Sequence, residues 1–188
     1  MAQYGLSHPF FAKLGATKGV YTAGFQCGKA ISTDITPNFN EASLFADNAL
    51  SEYVKEFKDA DVNLGVDEMP LSAADVIFGH AISTEDNSVT YGSEDSANYV
   101  GFGIYVNVMK DGAKTVMAAW LPKCKFTDSA ETYTTKGDSI TFATPTLSGK
   151  ALPDEDGNWR YKQGFDTEAE AITWLKTKAC ITDAAPQA

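Results

Sequence analysis

Val100-Gly101-Phe102-Gly103-Ile104-Tyr105-Val106-Asn107-Val108 is the stretch on which the fold turns. Large aliphatic and aromatic residues occupy every second position, and Gly, Tyr and Asn fill the positions between. Side chains of a strand alternate between its two faces, so this period of two predicts a long strand with one face on a core. Asp111-Gly112 follows where a tight hairpin turn is wanted, and Thr115 to Leu121 is strand-like again. Lys123-Cys124-Lys125-Phe126 continues the alternation, with Cys124 and Phe126 inward.

The same pattern recurs on both sides. Ile31, Thr33 and Ile35 alternate with Ser32, Asp34 and Thr36; Val62, Leu64 and Val66 alternate with Asp61, Asn63 and Gly65. Ile140 and Phe142 form a shorter example. Asp156-Gly157 precedes Trp159 to Phe165 and suggests a second hairpin. Strands joined by turn signals predict a mainly β fold, an antiparallel β-sandwich or partly open barrel.

Helices are few. Ser72 is a candidate cap for a short helix ending at Gly79. Near the C-terminus, Thr167 and Glu170 have capping-box spacing, and Ala171, Ile172, Leu175 and Ala179 form an apolar stripe with Trp174 beside it. This predicts a flanking C-terminal α-helix. Pro37 to Ser51 fits neither period. It is rich in Asn, Ala and Asp yet carries Phe39, Leu44, Phe45 and Leu50, and reads as a long inter-strand loop. Residues 1–181 are expected to form one domain, and 182–188, small and polar, a loose tail.

The chain has 188 residues and a formal net charge of −10. Between Asp34 and Asp95 there are 14 acidic residues against Lys55 and Lys58, while the remainder holds 11 acidic and 13 basic residues. A basic footprint for gripping nucleic acid is not part of this pattern. Cys27, Cys124 and Cys180 are widely spaced, which suits a reducing compartment better than a disulfide framework or zinc motif. Neither a signal-peptide pattern nor a membrane-length apolar run is read from the sequence.

Chemistry is hard to find. His8 and His80 are the two histidines; they make no metal-ligand motif, and His80 follows Gly79, where a histidine usually meets free helix carbonyls. Asp154-Glu155-Asp156 sits in a predicted turn without calcium-loop spacing. Gly101-x-Gly103 lies inside a strand, so it cannot cradle a pyrophosphate; there, small residues more often let a neighbouring surface approach. The sequence is read as that of a non-enzyme, with no catalytic, cofactor-binding or metal-binding residue.

A series of segments runs in order along the chain: Gly28-Lys29-Ala30-Ile31-Ser32, Thr36-Pro37-Asn38-Phe39-Asn40-Glu41-Ala42, Leu64-Gly65-Val66-Asp67 and Phe78-Gly79-His80. It continues through Trp120 to Phe126, Thr135 to Ile140, Phe142 to Pro145, Asp156-Gly157-Asn158-Trp159-Arg160 and Phe165 to Ala169. No single motif is specific; their collinearity is. Their order resembles the major tail proteins of siphophages, the phi-thirteen-type tail tube proteins of phages of Gram-positive bacteria. The resemblance implies a virion protein, assembled in the bacterial cytoplasm, whose hexameric rings stack into a non-contractile tube. DNA would pass through the lumen without specific binding. Partners would be further copies, the tape measure protein, the tail terminator and baseplate proteins, with no membrane.

In that setting Ser32, Asp34, Asp61 and Asn63, opposite the core-facing aliphatics, become candidates for an acidic lumen wall that repels phosphates. Asn38, Phe39, Leu44 and Phe45 become candidates for a ring-stacking loop. Competing expectations are the tube of a contractile tail or type VI secretion-like system, and a carbohydrate-binding β-sandwich.

Overall fold

The structure, a computed structural model, describes residues 2–110, 112–128, 135 and 144–181. The expected strands at Ile140 and Phe142 and the expected tail at 182–188 lie outside these residues.

Ten strands and two short helical segments make up the described chain. In order they are β1 (Ala2–Leu14), β2 (Tyr21–Gln26), β3 (Ala30–Ala46), β4 (Ala49–Val66), α1 (Leu71–Ala73) continuing as a π-helical turn over Ala74–Phe78, β5 (Ala81–Ser83) and β6 (Ser88–Thr90). Then come β7 (Val100–Lys110), β8 (Ala113–Thr127), β9 (Thr146–Leu152), β10 (Tyr161–Phe165) and α2 (Glu168–Lys178). All strands but β5 and β6 belong to one antiparallel sheet in the order β2-β1-β7-β8-β9-β4-β3, with β10 also on β8. The sheet curls around a core but does not close into a barrel.

Strand β7 is the central element that its alternation predicts. Val100, Phe102 and Ile104 enter a core with Phe11, Val62, Leu64, Leu121, Phe126 and Leu147. Its other face is buried as well. Tyr105 joins Phe10, Tyr21, Trp120 and the helix residues Ala171, Leu175 and Ala179. A Cβ on Gly101 would come 2.2 Å from the Trp120 ring, and one on Gly103 would meet both Trp120 and Leu175. The two glycines let the indole and α2 lie directly on the strand. Tyr21 donates to the Pro122 carbonyl at 2.8 Å, which satisfies the one polar group this ring brings inside.

Strand β8 divides its far edge between two partners. Val116–Trp120 pair with β10 and Lys123–Thr127 pair with β9. The change falls at Pro122, which has no N–H to offer a ladder. Asp156-Gly157 therefore makes a turn but not a hairpin, because β9 and β10 lie end to end along β8.

Helix α2 has the expected capping box: Thr167 accepts from the Glu170 N–H and Glu170 accepts from the Thr167 N–H. Its acidic first turn and lysine-bearing last turn both favour the helix dipole. The earlier segment departs from expectation. Pro70, not Ser72, precedes the first turn, with no side-chain cap. The wider π turn then buries Val76, Ile77 and Phe78 in succession before Gly79 ends it at φ 76°.

The largest correction concerns Pro37 to Ser51. It is not a loop. β3 and β4 pair continuously from Ala30–Val66 to Ala46–Ala49, closing on Asp47 and Asn48 at φ 52° and 63°. Positive φ at both central residues is what a two-residue hairpin turn needs, and Asp and Asn tolerate that region better than other non-glycine residues.

A projecting hairpin and a mixed-charge sheet face

β4 pairs with β9 only from Ala60 to Gly65. Beyond that point the β3–β4 ribbon, Asn38 to Asp59, pairs with itself alone. At about 3.3 Å per residue, the eight residues from Phe39 to Ala46 reach roughly 25 Å from their root. A free two-stranded ribbon is marginally stable in water. This one also exposes Leu44 at 58%, Phe45 at 68% and Leu50 at 56%, with Tyr53 and Val54 half exposed.

Register sorts these side chains. Phe45 opposes Leu50 and Ser43 opposes Tyr53 on one face; Leu44 opposes Glu52 and Ala42 opposes Val54 on the other. Apolar groups therefore sit on both faces of the tip, with acidic Asp47 and Glu52 among them. The root is built differently. Phe39 packs edge-on against Phe57 at 6.1 Å, under the Lys55 ammonium, and Phe57 stacks on Trp159 at 4.8 Å. Of the four residues expected to stack rings, Leu44 and Phe45 are at the free tip, whereas Phe39 is partly engaged at the root.

Asn38 is no tip residue either. Its amide donates to Asp59 Oδ1 and to Asp61 Oδ2, each at 2.7 Å. The Lys150 ammonium from β9 donates to the same two carboxylates at 3.1 and 2.8 Å. The Asn38 hydrogen bonds, and after them Lys150, hold both carboxyls below the usual aspartate range; in return Lys150 is held above its own.

This cluster lies on the polar face of β3, β4 and β9. Asp34 opposes Asn63, Ser32 opposes Gly65, and Ser148 donates to Asn63 at 2.8 Å. Ser32, Asp34, Asp61 and Asn63 thus share the core-averted face that alternation assigned them. The face is not an acidic wall, however. Lys150 stands among its carboxylates, and β8 adds Lys125, register partner of Lys150, and Lys123, both over the Tyr99 ring. The acidic excess of the sequence is spread instead over the ribbon and residues 67–95.

Two further features stand out, and the first of them, His80 with Asp95 and Asp128, lines one cleft with Asp61, Asn63, Lys125 and Lys150 of this face. His80 is buried, with Nδ1 2.7 Å from Asp95 and Nε2 3.0 Å from Asp128, so its ring meets carboxylates rather than helix carbonyls. Both partners are distant in sequence and no local pattern marks them. Asp154 accepts from the Asp156 and Asn158 N–H groups and from the Tyr161 hydroxyl, which commits that carboxylate to its own turn. Among the described residues no cluster of His, Cys, Asp and Glu has a geometry to hold a metal ion, and no helix is long and apolar enough to cross a membrane. Burial pushes the Cys27 thiol up to about 12 and raises Cys124 further, leaving both poor nucleophiles.

No protein-family model matches the chain, and no curated protein matches it.

Proposed function

We propose that this chain is a structural subunit that assembles with copies of itself, the tail tube protein of a long-tailed bacteriophage. Its hexameric rings stack into a tube that conducts DNA. One observation carries the reading: a self-paired ribbon about 25 Å long holds Leu44, Phe45 and Leu50 out in water. Such a tip is costly in a monomer and serves as an anchor when a neighbour covers it. The segment resemblance along the chain supports the specific assignment. The polar face of β3, β4 and β9 is the proposed lumen wall, its lysine held by Asp59 and Asp61 rather than offered to phosphates.

Negative-stain microscopy tests the reading. The whole chain should form six-fold rings or tubes as concentration rises. A variant with residues 40–56 replaced by Asn-Gly, which keeps the Phe39–Phe57 root, should stop at single rings or monomers. Long tubes from the trimmed variant would remove the stacking role, and a whole chain that stays monomeric at millimolar concentration would remove the tube itself.

A further inference from the structure

The unclosed side of the sheet leaves a groove of about 440 Å³ between the starts of β1 and β3 and the outer strand β10. Its floor is apolar, made of Ile104, Val106, Met117 and Ala119. Ile31, on the rim, is 54% exposed although its position in the alternation is core-facing. The other rim carries Arg160 and Lys162, and no carboxylate lines the groove. Arg160 lies over the Trp159 ring at 4.3 Å, and neither cation has an ion-pair partner among the described residues. Partial burial lowers the pKa of both, and the Arg160 charge lowers that of Lys162 further. Two like charges thus sit side by side without a counter-ion, Arg160 partly buried and Lys162 exposed, on a chain of net charge −10.

The complement exists elsewhere on the same chain. From Ser43 to Val54 the ribbon carries Leu44, Phe45 and Leu50 with Asp47 and Glu52, and no basic residue. It cannot reach its own groove: Thr33, at the rim, and Phe45, at the tip, are twelve positions apart on β3, roughly 40 Å in an extended strand. We infer that the groove between β1, β3 and β10 is the receptor for the β3–β4 hairpin tip of a second copy, with the apolar side chains on its floor and Asp47 and Glu52 against Arg160 and Lys162. This rests on the self-assembly proposed above and adds the address. One strand bears the receptor at its start and the plug at its end, so the two surfaces differ and the contact is of the head-to-tail kind that builds rings or open stacks.

Charge reversal in both halves tests it. Arg160→Glu with Lys162→Glu, and separately Asp47→Lys with Glu52→Lys, should each raise the concentration needed for sedimentable assembly by about tenfold or more, since like charges then face each other. The chain carrying all four changes should assemble again near the wild-type concentration. Circular dichroism and melting temperature verify that each variant is folded. In a Cys180→Ser background, a chain with Ile31→Cys and Phe45→Cys should oxidise to an inter-chain ladder. Wild-type assembly by the groove variant, failure of the folded four-change chain to recover, or assembled material without a ladder would each overturn the groove assignment while leaving arm-driven assembly standing. Unimpaired stacking of the ribbon-trimmed chain would instead overturn the reading beneath it.

Discussion

The Phe57 ring lies 4.8 Å from the Trp159 ring at an interplanar angle of 14°, and this stack ties the projecting ribbon to the body. Phe39 and Arg160 extend it on either side, so aromatic and cationic groups form a short column where β4 leaves the sheet. Removing one member leaves β3 and β4 paired with each other but loosens their hold on the segment at Trp159 and Arg160 that leads into β10. Trp159→Ala is therefore expected to cost about 1–2 kcal/mol, less than a fully buried aromatic because both rings are only partly enclosed. Urea unfolding measures that loss. Limited proteolysis should show faster cleavage within residues 40–56, and an unchanged rate there would mean that the stack does not steady the ribbon.

A second expectation concerns the contact beneath α2. Gly103 faces the Trp120 ring and Leu175, and its Cβ would stand 2.6 Å from one and 2.7 Å from the other. Neither neighbour is the free end of an exposed chain; both are fully or nearly fully buried. Gly103→Ala should destabilise by about 1–3 kcal/mol through overpacking. The companion Gly164→Ala, where the nearest atom is the Met117 methyl at 3.9 Å, should be close to neutral. Equal denaturation midpoints for the two variants would contradict the close-approach account.

These glycines show how far the sequence could be read. The alternation from Val100 to Val108 is strong because one face of β7 must be apolar, and small residues on the other face already implied a close neighbour. That Trp120 is the neighbour follows only from the β7–β8 register, which no local pattern encodes. The ribbon was illegible for the opposite reason. Neither of its faces is buried, so no period-two hydrophobic signal arises, Pro37 reads as a breaker, and the Asp47-Asn48 turn lacks the glycine that usually marks such hairpins. Its exposed Phe and Leu residues were visible; its shape was not. Lys150 is 89 residues from Asp61, and this pairing is what turned an apparently acidic face into a mixed one.

The buried His80 sets a pH dependence whose sign follows from its partners. Burial alone would lower its pKa, but the Asp95 and Asp128 carboxylates at its two nitrogens outweigh that and leave it raised. Phe78 and Tyr91, 6.0 and 4.5 Å away between centroids, enclose the rest of the ring. A raised histidine contributes stability that is complete below its unfolded value of about 6.5 and is lost as pH climbs through the folded value. Asp95, lowered chiefly by His80, contributes above its unfolded value of about 3.9 and loses its share as pH falls through the depressed one. The clamp is therefore strongest between about pH 4 and 6.5. The melting-temperature gap between wild type and His80→Gln should be widest near pH 5.5 and narrow at pH 9. A gap independent of pH would show that the ring contributes by packing and not by charge.

The proposed lumen wall makes the last prediction. Lys150 is held between Asp59 and Asp61, and Asn38 holds both carboxylates from the other side. Asp59→Asn with Asp61→Asn preserves side-chain size, exchanges one acceptor oxygen of each residue for an amide donor and removes two negative charges, leaving Lys150 without a counter-ion beside Lys125 and Lys123. A phosphate backbone would then meet an uncompensated cluster of cations. The variant should retain duplex DNA of any sequence at about 50 mM salt and release it by about 200 mM, while wild type retains none. Adding Lys150→Ala should weaken that retention and flatten its salt dependence by about one unit of slope, because one phosphate contact is withdrawn. If the variant ignores DNA at low salt, the carboxylates do not mask Lys150, and a face that lets DNA slide past would need a different physical basis.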